Sequence, residues 1–441
     1  MRVYTIHDEA SRQEVDAYIY SLGDLSNSEK AIQSKLDTTK WIVDAVRKDG
    51  DVALAEFTER FDQVALTPEE FEVSKEEIDD AFSQVDPKLL TIIQRAHENI
   101  KHFHEKNLRE SWEETYDDGT VLGQRITAIE SAGVYVPGGK AFYPSSVLMN
   151  IVPARVAGVK EIIMVSPPSY KGSIHPSVLA AARIAGATRV FRIGGAQAVA
   201  ALAYGTNTIP AVTKITGPGN TFVTAAKALV RHIVDIDSEA GPSEVVVLAD
   251  SKANPDYVAA ELLAQAEHDE EAKVIVVTPS AELAKAVKLR TETLAKKLSR
   301  RTIIWPAIEN NGVILLTRDM DEAVELTNAI APEHLSIQVS YPREVAKRIT
   351  NAGAMMLGAM TPVAVGDYYA GPNHILPTNR RARFASPLTA EDFRKVTSIL
   401  YYTKDRLRRE SRDIIEFATV EGLQAHARSV EVRLDQQEDL S

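Results

Sequence analysis

The chain has 441 residues, of which 44% are apolar and 25% charged, with a net charge of −12 and no cysteine. That length predicts two or more domains, and the acidic balance argues against nucleic acid or an anionic membrane as a partner. The lack of cysteine excludes disulfides, thiolate zinc sites and covalent thiol catalysis.

The N-terminus, Met1-Arg2-Val3-Tyr4-Thr5-Ile6-His7-Asp8-Glu9, has no apolar core of a secretion signal. No stretch approaches the roughly 18 apolar residues of a membrane span. A cytoplasmic protein is expected. Up to about Trp112 the chain reads as helical and charged, with apolar positions at helical spacing in 38–60 and 87–106. From Ile126 the texture changes to short β-branched runs between Gly- and Pro-containing turns and Ala-rich helices. Examples are 132–136, 161–165, 189–193 and 244–248. Such alternation predicts βαβ units and a mainly parallel sheet. Residues 159–167 and 272–279 resemble each other, each a strand that ends in a hydroxyl residue and proline. Two half-similar α/β domains would explain the repeat. From about Arg381 the chain reads as a charged helical extension with no strand signal before its final turn.

Five polar segments in the second half carry chemistry: Gly241-Pro242-Ser243-Glu244, Gln265-Ala266-Glu267-His268, Pro332-Glu333-His334-Leu335, 366–374 and Glu421-Gly422-Leu423-Gln424-Ala425-His426. They hold four of the ten histidines. Asn254 and Pro255 open a helix on which Gln265 and His268 share one flank, where both can reach one ion. A polar helix end with an exposed histidine is the plainer alternative. Asp367 and His374 lie in a loop stiffened by Gly366, Gly371, Pro372 and Pro377, read either as a binding loop or as a turn. Glu333 and His334 are suitable general bases, but neighbours on a strand point to opposite sides, so one site can use both only in loop geometry. Glu421 and His426 do not share a face of a straight helix, and Gly422 permits a bend. There is no G-x-G-x-x-G fingerprint. The glycine turns at 135–139, 194–197 and 217–220 suit either a dinucleotide or tight connections.

Taken together, 135–139, 194–198, 217–220, 237–244, 263–268, 331–335 and 366–378 resemble the histidinol dehydrogenase family, and the likeness runs from about Thr38 to Arg433. With the internal repeat, it implies an α/β fold of two related incomplete Rossmann-like domains with parallel-rich sheets, plus helical extensions at both ends. The expected division is an N-terminal extension over 1–30 and a first domain over 31–130 and 244–380 that carries the zinc and catalytic residues. A second domain over 131–243 would hold the NAD loops, and a C-terminal extension over 381–441 would reach a partner subunit. The resemblance implies zinc- and NAD-dependent oxidation of L-histidinol through an aldehyde to L-histidine, with one zinc per site in a homodimer.

By position, Gln265, His268, Asp367 and His426 match the family's zinc ligands, the last supplied by the other subunit. Glu333 and His334 match the catalytic pair. Ser243, His374 and Glu421 match substrate contacts, joined by His334 and the ligands, and Tyr135, Gln197 and Asn220 match NAD contacts. On this resemblance His334 takes the hydroxyl proton and Glu333 activates the water that hydrates the aldehyde. Two rival readings are a zinc- and NAD-dependent dehydrogenase of another amino or sulfonated alcohol, and a metal-dependent hydrolase with Glu333 as base.

Overall fold

The computed structural model describes residues 1–23, 29–139, 141–238 and 241–435. The chain forms two compact units, one of Met1–Asn107 with Ile129–Phe393, the other of Leu108–Ala128 with the chain from Arg394 onward.

Among the described residues of the first unit there are two parallel sheets. The six-stranded sheet runs Arg2–Thr5, Gly312–Leu316, Lys273–Thr278, Glu244–Ala249, His334–Gln338, Ala354–Leu357. The five-stranded sheet runs Arg189–Phe191, Glu161–Val165, Ser131–Tyr135, Lys214–Thr216, Asp235–Ile236. Numbered along the chain within each half, both sheets have the order 3-2-1-4-5, and Arg2–Thr5 is added at the edge of the first. This is the Rossmann order without its sixth strand, so two related incomplete Rossmann-like halves are present. The repeated segments 159–167 and 272–279 fall on the second strand of each half.

The strands are continuous apolar runs because both faces are covered. In the six-stranded sheet Val245, Val247, Val274, Val276 and Ile314 face the helices Pro255–Ala266, Ala281–Ala295 and Arg301–Asn310. The alternate residues Val246, Leu248, Ile275, Val277, Leu335 and Ile337 pack with Val15 and Ile19 of Glu9–Ser21 and with Val324 and Leu326 of Met320–Ile330. The period of two in each strand thus builds two separate cores.

Three details differ from the sequence reading. Residues 2–5 are not part of a helical extension but an edge strand parallel to Gly312–Leu316, too short for its period to be read. Ile42, Val43, Val46, Leu54 and Phe57 pack with Ile163, Val165 and Phe191 of the five-stranded sheet, whereas 31–130 was expected beside the other sheet. A helix's apolar stripe shows which face is buried, but not against what. The segment after Arg381 contains a strand, Arg394–Tyr401, which pairs antiparallel with Val121–Ala128 in the second unit. Its residues are mostly exposed, so it lacks the in-out alternation that marks a half-buried strand. Val121–Ala128 also pairs with Trp112–Thr115, and the helices Lys404–Val420 and Gln424–Asp435 pack on each other.

No helix among the described residues is long and apolar enough to cross a membrane.

His104, on the helix Pro87–Glu105, is 0% exposed. Neither ring nitrogen has a hydrogen-bond partner among the described residues, and burial pulls its pKa down to about 4 from the ordinary 6.5. The unfolded chain therefore binds a proton that the folded chain refuses between these values, and stability must fall as pH drops from 6.5 toward 4. The full shift is worth about 3 kcal/mol. Urea unfolding of His104→Leu should show a shallower loss of stability over that window than the parent chain. An unchanged slope would refute the assignment.

Candidate active site

Two neighbouring parallel strands place the first functional groups. His334 opens its strand in register with Val245, one residue beyond Glu244. Ala331, at φ +50, ends the preceding helix in the left-handed conformation, so Pro332 and Glu333 enter the sheet through a tight turn. Glu333 lies just before the strand, and its Oε2 accepts a hydrogen bond from the Glu244 backbone N–H at 2.7 Å. The same oxygen lies 3.5 Å from His334 Nδ1. The turn therefore brings carboxylate and imidazole to one side, as two bases in a single site require. Both residues are buried, at 7% and 4% exposure.

His334 is held at both nitrogens. Nδ1 lies 3.2 Å from the Glu244 carbonyl, and Nε2 lies 3.2 Å from Asp367 Oδ1. Burial works against its charge, but Glu333 and Asp367 outweigh burial and raise its pKa well above the usual value. Behind Glu333, the buried Glu244 carboxylate accepts from Lys273 Nζ at 2.9 Å and from the Asn379 N–H at 3.1 Å. Burial is the main cause that pushes the Glu244 carboxyl up, with Glu333 adding to it against the pull of Lys273.

Gln265 and His268 come from the helix Pro255–Ala266 and the turn after it. Asn254 caps that helix, its side chain accepting from Asp256 N–H at 2.9 Å. Gln265 is 2% exposed, and the His268 N–H donates to the Gln265 carbonyl at 3.2 Å. Asp367 lies in the short helix Val363–Tyr368. Burial pushes its carboxyl up, but the His334 hydrogen bond and the nearby His334, His374 and His268 bring it below the ordinary range. His374 Nδ1 lies 2.9 Å from the Asp367 carbonyl and its Nε2 3.3 Å from Ser146 Oγ, and burial depresses its pKa. Ser243 precedes Glu244, its carbonyl accepting from the Lys273 N–H at 2.9 Å. His268, Glu333, His334, Asp367 and His374 thus form one electrostatically linked group. Glu421 and His426 are exposed residues of the second unit, with Gly422 between them at φ +74. Among the described residues, no three His, Cys, Asp or Glu side chains form a metal cage.

Tyr135, Gln197 and Asn220 lie at the carboxyl ends of strands in the five-stranded sheet or just beyond. Tyr135 is the last residue of its strand, and its hydroxyl accepts from the Gly195 N–H at 3.1 Å. Gln197, in the helix Gly195–Tyr204, is 1% exposed, and its Nε2 has no partner among the described residues. Asn220 caps the helix Thr221–Val230, accepting from Phe222 and Val223 N–H at 3.0 and 3.1 Å. Gly217, at φ +114, could bear no side chain, since a Cβ would lie 2.0 Å from the Tyr135 carbonyl oxygen.

The histidinol dehydrogenase family model matches residues 25–434. The chain belongs to the histidinol dehydrogenase family. It is 50% identical over 394 residues to a histidinol dehydrogenase of Heliobacterium mobile, covering 89% of this chain and 92% of that one. With the enzyme of Halalkalibacterium halodurans it shares 47% identity over 435 residues, 99% of each chain. A crystal structure of histidinol dehydrogenase from Elizabethkingia anophelis superposes with a TM-score of 0.91 at 33% identity, covering 99% of this chain and 98% of that one. The chain is an oxidoreductase of this family.

Several supporting residues escaped the sequence reading. Lys227 and Asp237 form a buried ion pair, with side chains 3% and 4% exposed. Lys227 Nζ also donates to the Gly217 carbonyl at 3.1 Å, and Asp237 Oδ2 accepts from the Gly217 N–H at 2.7 Å. The pair fixes the N–H and the carbonyl of Gly217 beside Tyr135. A lysine in the otherwise apolar run Ala225-Ala226-Lys227-Ala228-Leu229 was the available signal. Glu239 and Ala240 of the 237–244 motif lie outside the described residues. Asp237→Asn leaves the Lys227 charge buried without its counter-ion, which should destabilise the fold by roughly 3–5 kcal/mol. Chemical denaturation measures this, and a loss below about 1 kcal/mol would show that the pair contributes little.

Proposed function

We propose that the chain catalyses the four-electron oxidation of L-histidinol through L-histidinaldehyde to L-histidine, the last steps of histidine biosynthesis, with zinc and NAD as cofactors. Family membership supports the activity. The observation that carries the site assignment is the buried Glu333–His334 pair beside Asp367. The two sheet-bearing halves would share the work. The half with 244–380 would supply bases and metal ligands, and that with 131–243 would hold NAD through Tyr135, Gln197 and Asn220.

The residues fit a zinc ion by their chemistry: a buried carboxamide (Gln265), an imidazole (His268) and a carboxylate (Asp367) that feels that imidazole are nitrogen and oxygen donors suited to zinc. His426 of the partner subunit would complete the set, with Glu421 of the partner subunit as a substrate contact, in a cytoplasmic homodimer with two shared sites. Bound zinc would supply coordination positions for the substrate's imidazole and amine, and bound NAD the hydride acceptor. Ser243 and His374 would orient the substrate.

A neutral His334 would accept the hydroxyl proton at Nε2, while Nδ1–H remains donated to the Glu244 carbonyl and fixes the ring. In this chain Nε2 faces Asp367, whose charge together with that of Glu333 favours the protonated ring, so Asp367 must release Nε2 and the Nε2 proton must leave before the ring can act as base. A role as metal ligand gives Asp367 another partner. Glu333 takes a proton from the water that adds to the aldehyde carbon. With no cysteine in the chain, a covalent thiohemiacetal is impossible, so hydration of the aldehyde is the required path.

Supplied with L-histidinol and NAD, the enzyme should form two NADH per histidine. Glu333→Gln keeps the shape but removes the proton acceptor, so oxidation of added histidinaldehyde should fall roughly 10²–10⁴-fold. His334→Asn should harm the alcohol step more. Near-normal aldehyde oxidation by Glu333→Gln would remove Glu333 from this role.

Subunit complementation tests the shared site. Each dimer formed from one His268→Ala chain and one His426→Ala chain would carry both lesions in one site and neither in the other, so about half of the heterodimers' sites should recover activity. No recovery despite demonstrated exchange would mean that each chain builds its own site.

A further inference from the structure

Glu261 has no role in the reaction described so far, yet it is 6% exposed and sits among the functional groups. It lies on the Pro255–Ala266 helix four residues before Gln265 and seven before His268. That spacing puts it on the same face as Gln265 and carries the row toward His268. Its Oε2 accepts a hydrogen bond from the Val363 N–H at 2.9 Å, across 102 residues of sequence.

Val363 is the first residue of the helix that carries Asp367. That helix has six residues, Val363–Tyr368, and no side-chain cap of its own, because its N-cap position is Pro362. A helix this short does not hold itself together, and its first N–H groups have no partner within it. Glu261 supplies the missing acceptor from the neighbouring helix. Val363 is itself buried in the same cluster as Val258 and Leu262, so the hydrogen bond and the apolar contact act at the same point.

The arrangement carries an electrostatic cost. Burial, and then the Asp367 charge, push the Glu261 carboxyl up from its ordinary range, against the pull of the Val363 N–H and His334. An apolar residue would fill the space without that cost but could not accept the Val363 hydrogen bond.

We propose that Glu261 is a positioning residue that ties the Val363–Tyr368 helix, and with it Asp367, to the helix bearing Gln265 and His268. Its consequence for metal binding rests on the zinc reading above; its effect on the helix does not. Glu261→Gln keeps an acceptor for Val363, whereas Glu261→Leu removes it. Val363→Pro removes the donor instead while leaving Glu261 in place, and proline is tolerated at a first helical position.

Two measurements decide the proposal. In the metal-free protein, hydrogen exchange across 363–369 should accelerate in Glu261→Leu and in Val363→Pro, and remain close to the parent in Glu261→Gln. Zinc affinity, read by competition with a chromogenic chelator, should fall about 10–100-fold in the first two and be largely retained in the third. Parent-like exchange in both Glu261→Leu and Val363→Pro would overturn the proposal. So would damage in Glu261→Gln equal to that in Glu261→Leu, since the negative charge and not the hydrogen bond would then be what acts. Should Glu261→Leu fail to fold, Val363→Pro against Glu261→Gln separates the same two outcomes. If the parent chain binds no zinc, the zinc reading fails by itself, and the exchange data still decide whether Glu261 positions the helix.

Discussion

The site depends on the parallel pairing of Glu244–Ala249 with His334–Gln338. These strands lie in the interior of the six-stranded sheet, and their register puts the Glu244 peptide against the Glu333–His334 pair. The Glu244 N–H holds the Glu333 carboxylate, and the Glu244 carbonyl faces the His334 ring. The backbone of one residue thus orients a carboxylate and an imidazole. Backbone groups have little freedom to move once a sheet is packed on both faces, so this support is stiffer than one built from side chains.

This geometry places the bases where the strands begin. Ligands of open α/β sheets usually gather at the carboxyl ends of the strands, and Tyr135, Gln197 and Asn220 lie at that end of the five-stranded sheet. Glu333 and His334 sit at the opposite, amino end of theirs. Two halves of the same topology therefore use opposite edges: one presents glycine turns at its carboxyl edge, the other acids and imidazoles at its amino edge. The first edge has the tight backbone approach that suits a dinucleotide, and the second has the proton-handling groups an alcohol oxidation needs.

Charge is concentrated around the second edge. Glu244, Glu261, Glu333 and Asp367 lie close enough to affect one another or the His334 between them. Lys273 and the His334 ring, whose charged form Glu333 and Asp367 favour, supply the opposing charge. Such a density of buried acid is tolerated only when each carboxylate has donors. Glu244 has Lys273 and Asn379, Glu333 the Glu244 N–H, Glu261 the Val363 N–H, and Asp367 the His334 ring. A cation held by Asp367 would ease the remaining repulsion.

Much of this was readable in the sequence because it is local. The buried strands at 161–165 and 244–248 follow from their apolar runs, the cap of the Gln265 helix from Asn254-Pro255, and the relation of the two halves from a repeated strand ending in hydroxyl and proline. The motif segments, being long and specific, carried the family likeness and the candidate residues. What escaped was settled by contacts distant along the chain. Arg2–Thr5 becomes a strand only because Gly312–Leu316 offers an edge, and the apolar stripe of Ile42, Val43 and Val46 did not show which sheet it would cover. Lys227 meets Asp237, and Glu261 meets Val363, through pairings that no period in the sequence encodes. A residue's spacing determines which face of its own element it occupies, whereas the partner of that face depends on how the elements close on one another. Sequence alone therefore determined the strongly patterned elements, their buried faces and the candidate residues; only the tertiary structure decided the strands Arg2–Thr5 and Arg394–Tyr401 and which backbone and side-chain groups hold the candidate residues in place.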